Sequence, residues 1–169
     1  PSVFGDNRGY FLESFNLEKF EENVSPIKFL QDNESKSSKG VLRGLHFQKP
    51  PFDQAKLVRC IEGRVMDVAV DIRKGSLTYG KHVAIELTGE NKRQLFVPRG
   101  FAHGFSVLSD TAVFAYKVDN RYAPESDSGI RYDDKELNID WGLNKERIQL
   151  SEKDKNLSFF EDLETPFKF

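Results

Sequence analysis

The sequence predicts an antiparallel all-β sandwich or barrel, and three observations support this prediction. Aromatic residues that favour strands are abundant, with 15 Phe and 5 Tyr against one Met and one Trp. Short apolar runs recur about every 10–15 residues along the middle of the chain, with turn-forming residues between them. Helical periodicity is confined to a few short stretches. The length of 169 residues favours a single domain over residues 1–169.

The strands can be placed in order along the chain. Lys56–Ile61 and Arg64–Ile72 flank a short Glu62-Gly63 turn, and this pattern predicts a β-hairpin. The later apolar runs predict three further strands, at Lys81–Leu87, Gln94–Val97 and Thr111–Val118.

Helices and loops are expected at the two ends of the chain and in one polar segment. Asn16–Glu22 predicts a short helix with its first residue as the N-cap. Asp133–Leu137 and Asn144–Ile148 each predict a single helical turn. Ser35–Gly40 is the most loop-like segment. Ser151–Phe169 is polar with interspersed Phe, so we expect it to pack along the surface.

Composition disfavours several classes of protein. The net charge is −2, from 25 basic and 27 acidic side chains, whereas a nucleic-acid binder normally carries a basic excess. No apolar run approaches the roughly 20 residues of a membrane span. The single Cys60 excludes an intramolecular disulfide, and Pro1–Asp6 shows no signal-peptide pattern. We therefore expect a cytoplasmic protein that binds neither nucleic acid nor membrane.

Ionisable residues within the strands indicate a ligand site. Lys56, Asp67 and Tyr116 each alternate with apolar neighbours, and burying such groups in a barrel without partners is costly. Of the three histidines, His46 and His103 lie among small and aromatic residues that suit a site. The third, His82, lies in a predicted strand, where we expect a structural role.

The residue inventory disfavours metal and nucleophilic chemistry. Metal-binding barrels use two or three His plus a carboxylate, and no two histidines here have His-x-His or His-x₃-His spacing. The chain has no Gly-x-Ser-x-Gly elbow and no glycine-rich phosphate loop. The remaining His, Lys, Tyr, Asp and Arg form an acid–base set that needs no metal. Such a set suits enolisation beside a ketone, on a substrate that carries phosphate groups.

Several motifs are similar to those of a known enzyme family. They are Phe4–Glu13, Gln31–Ser35, Gly40–Gln48, Gln54–Arg59, Asp67–Arg73, Val97–Phe105 and Leu150–Asp154. In order and spacing they resemble the dTDP-4-dehydrorhamnose 3,5-epimerase family, over nearly the whole chain. The resemblance implies a cupin-like antiparallel β-barrel (jelly roll) with a few short helices, and a homodimer. It also implies conversion of dTDP-4-dehydro-6-deoxy-D-glucose, a nucleotide-diphosphate 4-keto sugar, to dTDP-4-dehydro-L-rhamnose without a metal or other cofactor.

The resemblance assigns catalytic roles to four residues. His46 matches the catalytic base, and Asp154 matches the carboxylate that orients it. Tyr116 matches the acid on the opposite face of the sugar. Lys56 matches the group that stabilises the enolate oxygen at C4.

The resemblance also implies a set of substrate-binding residues. The matching positions are Arg8, Phe11, Glu13, Gln31, Asn33, Arg43, His103, Asp127 and Lys153. Asp127 stands where the family has a Glu, so the carboxylate is kept with a shorter reach. Asp67 matches a carboxylate that we expect to lie behind the site. Members of the family also carry a strand before the position of Pro1, and that strand contributes to the dimer.

Three alternatives remain open from the sequence. The first is an epimerase that acts at one carbon only, or on another nucleotide-linked 4-keto hexose or heptose. The second is a non-catalytic cupin that binds a sugar. The third is a metal-dependent cupin oxygenase.

Overall fold

The computed structural model describes all 169 residues and contains eleven β-strands. The strands are β1 (Val3–Asp6), β2 (Gly9–Leu12), β3 (Gln31–Ser38), β4 (Leu42–Gln48), β5 (Lys56–Glu62), β6 (Arg64–Asp71), β7 (His82–Thr88), β8 (Gln94–Val97), β9 (Phe101–Val107), β10 (Thr111–Val118) and β11 (Asp127–Gly129). The helices are α1 (Leu17–Asn23), α2 (Glu152–Lys155) and three 3₁₀ turns at Pro124–Ser126, Lys145–Arg147 and Phe160–Asp162. No helix in the structure has the length and apolar character needed to cross a bilayer.

The strands form two main antiparallel sheets and one separate hairpin. The four-stranded sheet has the order β3-β10-β5-β8, and the five-stranded sheet has the order β11-β4-β9-β6-β7. Strands β1 and β2 pair only with each other. The predicted all-β antiparallel fold with a few short helices is confirmed.

The two main sheets pack face to face through apolar side chains. Val58 and Phe114 of the four-stranded sheet belong to the same buried cluster as Val65 and Phe105 of the five-stranded sheet. The rings of Phe105 and Phe114 stack with centroids 4.2 Å apart. Burial of one such side chain stabilises the fold by about 1.5–3 kcal/mol. This cluster fills one part of the space between the sheets and leaves the rest for a cavity.

The C-terminal segment covers the outer face of the five-stranded sheet. Phe160 and Phe167 are buried in one cluster with Leu45 and Val68 of that sheet and with Trp141. The expectation that Ser151–Phe169 packs along the surface is therefore correct in outline, but Phe160 and Phe167 belong to the core, whereas Phe159 and Phe169 are exposed. This anchoring brings α2 next to β4.

The predicted hairpin between β5 and β6 is wrong. The two strands are consecutive in the chain, but β5 pairs with β10 and β8, whereas β6 pairs with β9 and β7. The turn between them carries the chain from one sheet to the other. Gly63 adopts φ +79° there, and a Cβ at this position would lie 2.1 Å from the carbonyl oxygen of Thr111. A short turn between apolar runs thus marks a corner of the barrel here.

The predicted loop at Ser35–Gly40 is also wrong over most of its length. Residues 35–38 continue β3, which pairs with β10 along its whole length. The segment is polar because β3 is an edge strand with exposed residues on one face. Its other face meets a polar cavity, so neither face shows the apolar alternation typical of a strand.

The helical predictions at the chain ends agree with the structure in part. Asn16 caps α1, since its side-chain oxygen accepts a hydrogen bond from the Lys19 amide at 3.2 Å. The expected turn at Asn144–Ile148 is the 3₁₀ turn Lys145–Arg147. The expected turn at Asp133–Leu137 is a hydrogen-bonded turn that is not continued as a helix.

Candidate active site

A cavity of about 450 Å³ opens between the two main sheets. It contains six of the thirteen residues that the family resemblance assigns to catalysis or substrate binding. These six are Arg43, His46, Lys56, His103, Tyr116 and Asp154. They come from β4, β5, β9, β10 and α2, so the fold brings together residues that are far apart in the sequence.

His46 is paired with a buried carboxylate. Its Nε2 hydrogen-bonds Oδ1 of Asp154, whose side chain is 3% exposed while the imidazole is 29% exposed. Asp154 lies in α2, and its amide donates to the Ser151 hydroxyl at 3.1 Å, which caps this helix. Burial alone would raise the pKa of Asp154, but the hydrogen bond from His46 keeps it below its ordinary value. The ionised carboxylate therefore orients a ring that still reaches the cavity.

Lys56 lies on β5 and also lines the cavity. Burial lowers the pKa of its ammonium group to about 8, although the negative charges of Asp67 and Asp127 act in the opposite direction. At neutral pH the group is charged and poorly solvated. An ammonium group in such a place is a strong hydrogen-bond donor to an oxygen that gains negative charge.

Tyr116 faces the cavity from β10, on the sheet opposite to that of His46. Burial raises the pKa of its phenol, and the nearby charge of Arg43 offsets only part of this effect. The hydroxyl is therefore protonated at neutral pH and can donate a proton. The two walls of the cavity thus carry an imidazole paired with a carboxylate and a phenol.

A second imidazole–carboxylate pair lies behind the first. Nε2 of His103 contacts both carboxylate oxygens of Asp67, at 3.1 and 3.0 Å, and both residues are buried. His103 is the direct strand neighbour of His46 across β4 and β9. Asp67 itself does not line the cavity, whereas His103 does. The pair fixes the orientation of the His103 ring.

Two further candidate residues contact each other beside Lys56. The Lys153 ammonium group forms an ion pair with Oδ2 of Asp127, and the Tyr122 hydroxyl donates to the same oxygen at 3.0 Å. Both charges act on Lys56. A cation and a carboxylate are therefore available near the cavity for polar groups of a ligand.

Gln31 and Asn33 lie on β3, where the Gln31 amide donates to the Asn33 side chain at 2.7 Å. Asn33 is the direct strand neighbour of Tyr116, but it lines an adjoining groove instead of the cavity. This places both amides beside the catalytic candidates, on the same sheet as Tyr116.

The three N-terminal candidates lie outside the cavity. Arg8 is exposed and pairs with Asp6, and Glu13 pairs with Lys19 at 2.7 Å. Phe11 is 69% exposed on the separate β1–β2 hairpin. None of the three lines the cavity that contains His46.

Sequence reasoning missed several residues of the cavity wall, and Ser35 is one of them. Ser35 was missed because it falls in the segment that was predicted as a loop. In the structure, Gln31, Asn33 and Ser35 are spaced by two and share one face of β3. A strand assignment for this segment would have identified it. The helix cap Ser151 was missed as well, because its contribution passes through Asp154.

The structure contains no cluster of three or more His, Cys, Asp or Glu side chains that could hold a metal ion. The two histidines of the cavity each pair with a different carboxylate. The prediction that the chain works without a metal stays a prediction.

Comparison with known proteins shows the family to which the chain is related. The family model described as dTDP-4-dehydrorhamnose 3,5-epimerase matches residues 1–162. The dTDP-4-dehydrorhamnose 3,5-epimerase of Shigella flexneri is 56% identical over 163 residues, which cover 96% of this chain and 89% of the relative. A more distant relative, the dTDP-4-dehydrorhamnose 3-epimerase of Streptomyces niveus, is 39% identical over 83% of this chain and 69% of its own length.

The fold also matches a solved structure of the same kind. The crystal structure of dTDP-6-deoxy-D-glucose-3,5-epimerase from Legionella pneumophila Philadelphia 1, in complex with dTDP-4-keto-L-rhamnose, superposes with a TM-score of 0.93. It shares 51% sequence identity over 96% of this chain and 86% of that chain. The predicted cupin-like barrel is therefore confirmed, and the chain belongs to the dTDP-4-dehydrorhamnose 3,5-epimerase family.

Proposed function

We propose that this protein is a nucleotide-sugar 3,5-epimerase that converts dTDP-4-dehydro-6-deoxy-D-glucose to dTDP-4-dehydro-L-rhamnose. One observation carries the proposal beyond the family membership. A His46–Asp154 pair and the protonated Tyr116 face a single cavity from opposite sheets, and Lys56 lines that same cavity. Inversion at a carbon beside a ketone is served by a base on one face and an acid on the other, and a group that stabilises the enolate oxygen lowers the barrier.

His46 is the base of the reaction. Its imidazole removes the proton from C5, and the electron pair of that C–H bond forms a C4–C5 double bond while the carbonyl electrons move to the C4 oxygen. Lys56 donates a hydrogen bond to this oxygen, so its charge stabilises the enolate. Asp154 stabilises the imidazolium that forms.

Tyr116 completes the inversion at C5. Its hydroxyl delivers a proton to C5 from the face opposite His46, the C4 carbonyl re-forms, and Lys56 releases its hydrogen bond. Solvent then returns a proton to the phenolate and removes one from the imidazolium. C3 lies on the other side of the same carbonyl, so the same enolate chemistry is available there.

Three further candidates contact the diphosphate or the sugar. The Arg43 guanidinium suits a phosphate oxygen, and the Lys153 ammonium group can exchange its pairing with Asp127 for a second one. His103 is held by Asp67 and presents its ring to the sugar. These roles agree with those that the resemblance implies.

The N-terminal residues Arg8, Phe11 and Glu13 support a homodimer. They match substrate-binding positions of the family, yet they lie on a hairpin outside the cavity of their own chain. The hairpin also exposes large apolar side chains such as Phe4, which is 65% exposed. A second copy of the chain is the partner that would both cover this hairpin and give its polar residues a substrate. Analytical ultracentrifugation should show a dimer, and a monomer at micromolar concentration would contradict this assignment.

Product analysis tests the proposed activity. The protein is incubated with dTDP-4-dehydro-6-deoxy-D-glucose, and the sugar is assigned by proton NMR. We expect dTDP-4-dehydro-L-rhamnose to form. A protein that binds the nucleotide sugar but leaves it unchanged would instead be a non-catalytic sugar-binding cupin.

A second candidate function is epimerisation at one carbon. The 39% identical relative from Streptomyces niveus is named a 3-epimerase, so the fold and sequence pattern occur with single-carbon chemistry. In the proposed mechanism, the phenol of Tyr116 supplies from the second face the proton that inversion at C5 needs. The same NMR assay with other nucleotide-linked 4-keto sugars also tests the choice of sugar.

A further inference from the structure

The side-chain hydroxyl of Ser35 forms no hydrogen bond within the protein. Its Oγ is buried, and it is the one buried side-chain nitrogen or oxygen that has no hydrogen-bond partner in the structure. The residue lines the same cavity as His46 and Tyr116. A buried polar group without a partner is unfavourable, so such groups in a native protein call for an explanation. A ligand oxygen that reached this hydroxyl from the cavity would supply the missing partner.

The strand register places Ser35 relative to the catalytic candidates. On the four-stranded sheet, Ser35 is opposite Phe114, Asn33 is opposite Tyr116, and Lys56 is opposite Val118. Tyr116 therefore lies between the level of Lys56 and the level of Ser35 on the cavity face. A ligand that contacts Lys56 at one end and passes Tyr116 reaches Ser35 at the other end.

The chemistry of the substrate identifies what lies at that end. In a hexose ring, C1 is directly across from C4. If Lys56 holds the C4 oxygen and Tyr116 faces C5, the C1 oxygen and the diphosphate attached to it point away from Lys56, toward Ser35. With the ring placed in this way, the group nearest Ser35 would be the diphosphate and not the carbonyl.

The charge near Ser35 suits a diphosphate. The Arg43 guanidinium donates to the Ser37 hydroxyl at 3.1 Å, and Ser37 is the next residue along on the same face of β3 as Ser35. Arg43 also lies close enough to Tyr116 for its charge to act on the phenol. The Arg43 guanidinium thus lies near Ser35, and its charge would attract an anionic oxygen there.

We infer that Ser35 is a substrate-binding residue whose hydroxyl donates a hydrogen bond to a diphosphate oxygen of the nucleotide sugar, alongside Arg43. This inference rests on the proposed function, because it needs a nucleotide-diphosphate ligand in the cavity. On this inference, β3 contributes the Ser35 hydroxyl to ligand binding in addition to the candidate amides of Gln31 and Asn33.

The test compares Ser35→Ala with Ser38→Ala, an exposed serine on the opposite face of the same strand. Binding of dTDP, which contains the diphosphate without the sugar, is measured by isothermal titration calorimetry. A hydrogen bond to a charged group corresponds to about tenfold or more in affinity. We expect dTDP to bind Ser35→Ala about tenfold more weakly than the wild type, and Ser38→Ala to bind like the wild type.

Thermal unfolding without ligand separates a binding role from a structural one. Because the hydroxyl has no partner in the protein, Ser35→Ala should unfold at the same temperature as the wild type or higher. A clear fall in the unfolding temperature overturns the inference, since the hydroxyl would then be structural. Unchanged dTDP affinity also overturns it, and slower turnover in that case would place the contact on the sugar.

Turnover by the wild type distinguishes this inference from the proposed function. If the wild-type protein does not epimerise the nucleotide sugar, the proposed function fails. If the wild type is active and Ser35→Ala binds dTDP normally, only the role of Ser35 fails.

Discussion

His46 and Tyr116 line one cavity from opposite sheets, His46 on β4 of the five-stranded sheet and Tyr116 on β10 of the four-stranded sheet. A sugar ring that binds with its two faces toward the two sheets would present one face to the imidazole and the other to the phenol. Proton removal from one face and delivery to the other inverts a stereocentre. The two-sheet architecture would thus account for the separation of the proposed base, His46, from the proposed acid, Tyr116.

The phenol should be required for inversion at C5 but not for proton removal. In Tyr116→Phe the base and the Lys56 ammonium group remain, so the enolate can still form and pick up solvent hydrogen on the His46 face. We expect deuterium from solvent to enter C5 without inversion, and L-sugar formation to fall by roughly 10²–10⁴-fold. Proton NMR of the product mixture measures both quantities.

Tyr79→Phe is the control for that variant. Tyr79 packs on Phe160 away from the cavity, and loss of its hydroxyl should leave turnover unchanged. Inversion by Tyr116→Phe at the wild-type rate would assign the acid to another group.

Asp154 should act through His46. Asp154→Asn keeps the shape of the side chain but removes the charge that stabilises the imidazolium, so we expect kcat to fall by roughly 10²–10⁴-fold with little change in dTDP affinity. Glu152→Gln, in the same helix but exposed, is the matched control. Steady-state kinetics and calorimetry measure the two effects. Equal losses of kcat and of dTDP affinity would point to a collapsed site instead of a misdirected base.

Family motifs and strand patterns explain why some of these residues can be predicted from the sequence. His46 lies in a distinctive Gly40–Gln48 segment, and Lys56 and Tyr116 alternate with apolar residues in strands, which indicates an inward position. Asp154 is different, because its own segment is a run of charged residues and the sequence alone gives no sign of burial. Its role follows from the resemblance, and its position follows from the packing of the C-terminal segment.

Local patterns could not predict how the chain passes between sheets. The β5–β6 turn has the sequence of a hairpin, but pairing depends on strands that are distant in the sequence, such as β10 and β9. Likewise, Ser35–Ser38 has no strand-like pattern because one face meets solvent and the other meets polar groups of the cavity. In both places the tertiary contacts decide the structure.

The pH dependence of kcat/KM should reflect the titration of the Lys56 ammonium group. Burial lowers the pKa of its ammonium group to about 8, so the group loses its charge as the pH rises through that value. We expect kcat/KM to fall on the alkaline side with an apparent pKa near 8. Because the folded-state pKa lies below the ordinary 10.5, the same group makes folding less favourable while it is charged, and stability should rise between these two values.

Asp67→Asn provides a sharper form of this test. The negative charge of Asp67 raises the pKa of Lys56, so its removal should move the alkaline limb of the profile to lower pH. Glu86→Gln, an exposed carboxylate on β7, should leave the limb in place. A limb that stays fixed or moves to higher pH in Asp67→Asn would assign it to a different group.

Metal removal should have no effect on turnover. The acid–base groups named above account for each proton transfer, so we expect full activity after dialysis against EDTA and no gain on adding Zn²⁺, Mn²⁺ or Fe²⁺. Elemental analysis of the purified protein accompanies the assay. Loss of activity with EDTA and recovery with one metal would instead indicate a metal-dependent cupin.

Solvent labelling tests the central claim most directly. The protein is incubated with dTDP-4-dehydro-6-deoxy-D-glucose in deuterium oxide, and NMR measures deuterium at C3 and C5 for the wild type, His46→Ala and the control His82→Ala, whose imidazole lies on β7 outside the cavity. We expect deuterium at both carbons with the wild type and His82→Ala, and rates lower by roughly 10²–10⁴-fold at both carbons with His46→Ala. Deuterium at one carbon only would contradict two-carbon epimerisation, and wild-type exchange by His46→Ala would show that another residue is the base.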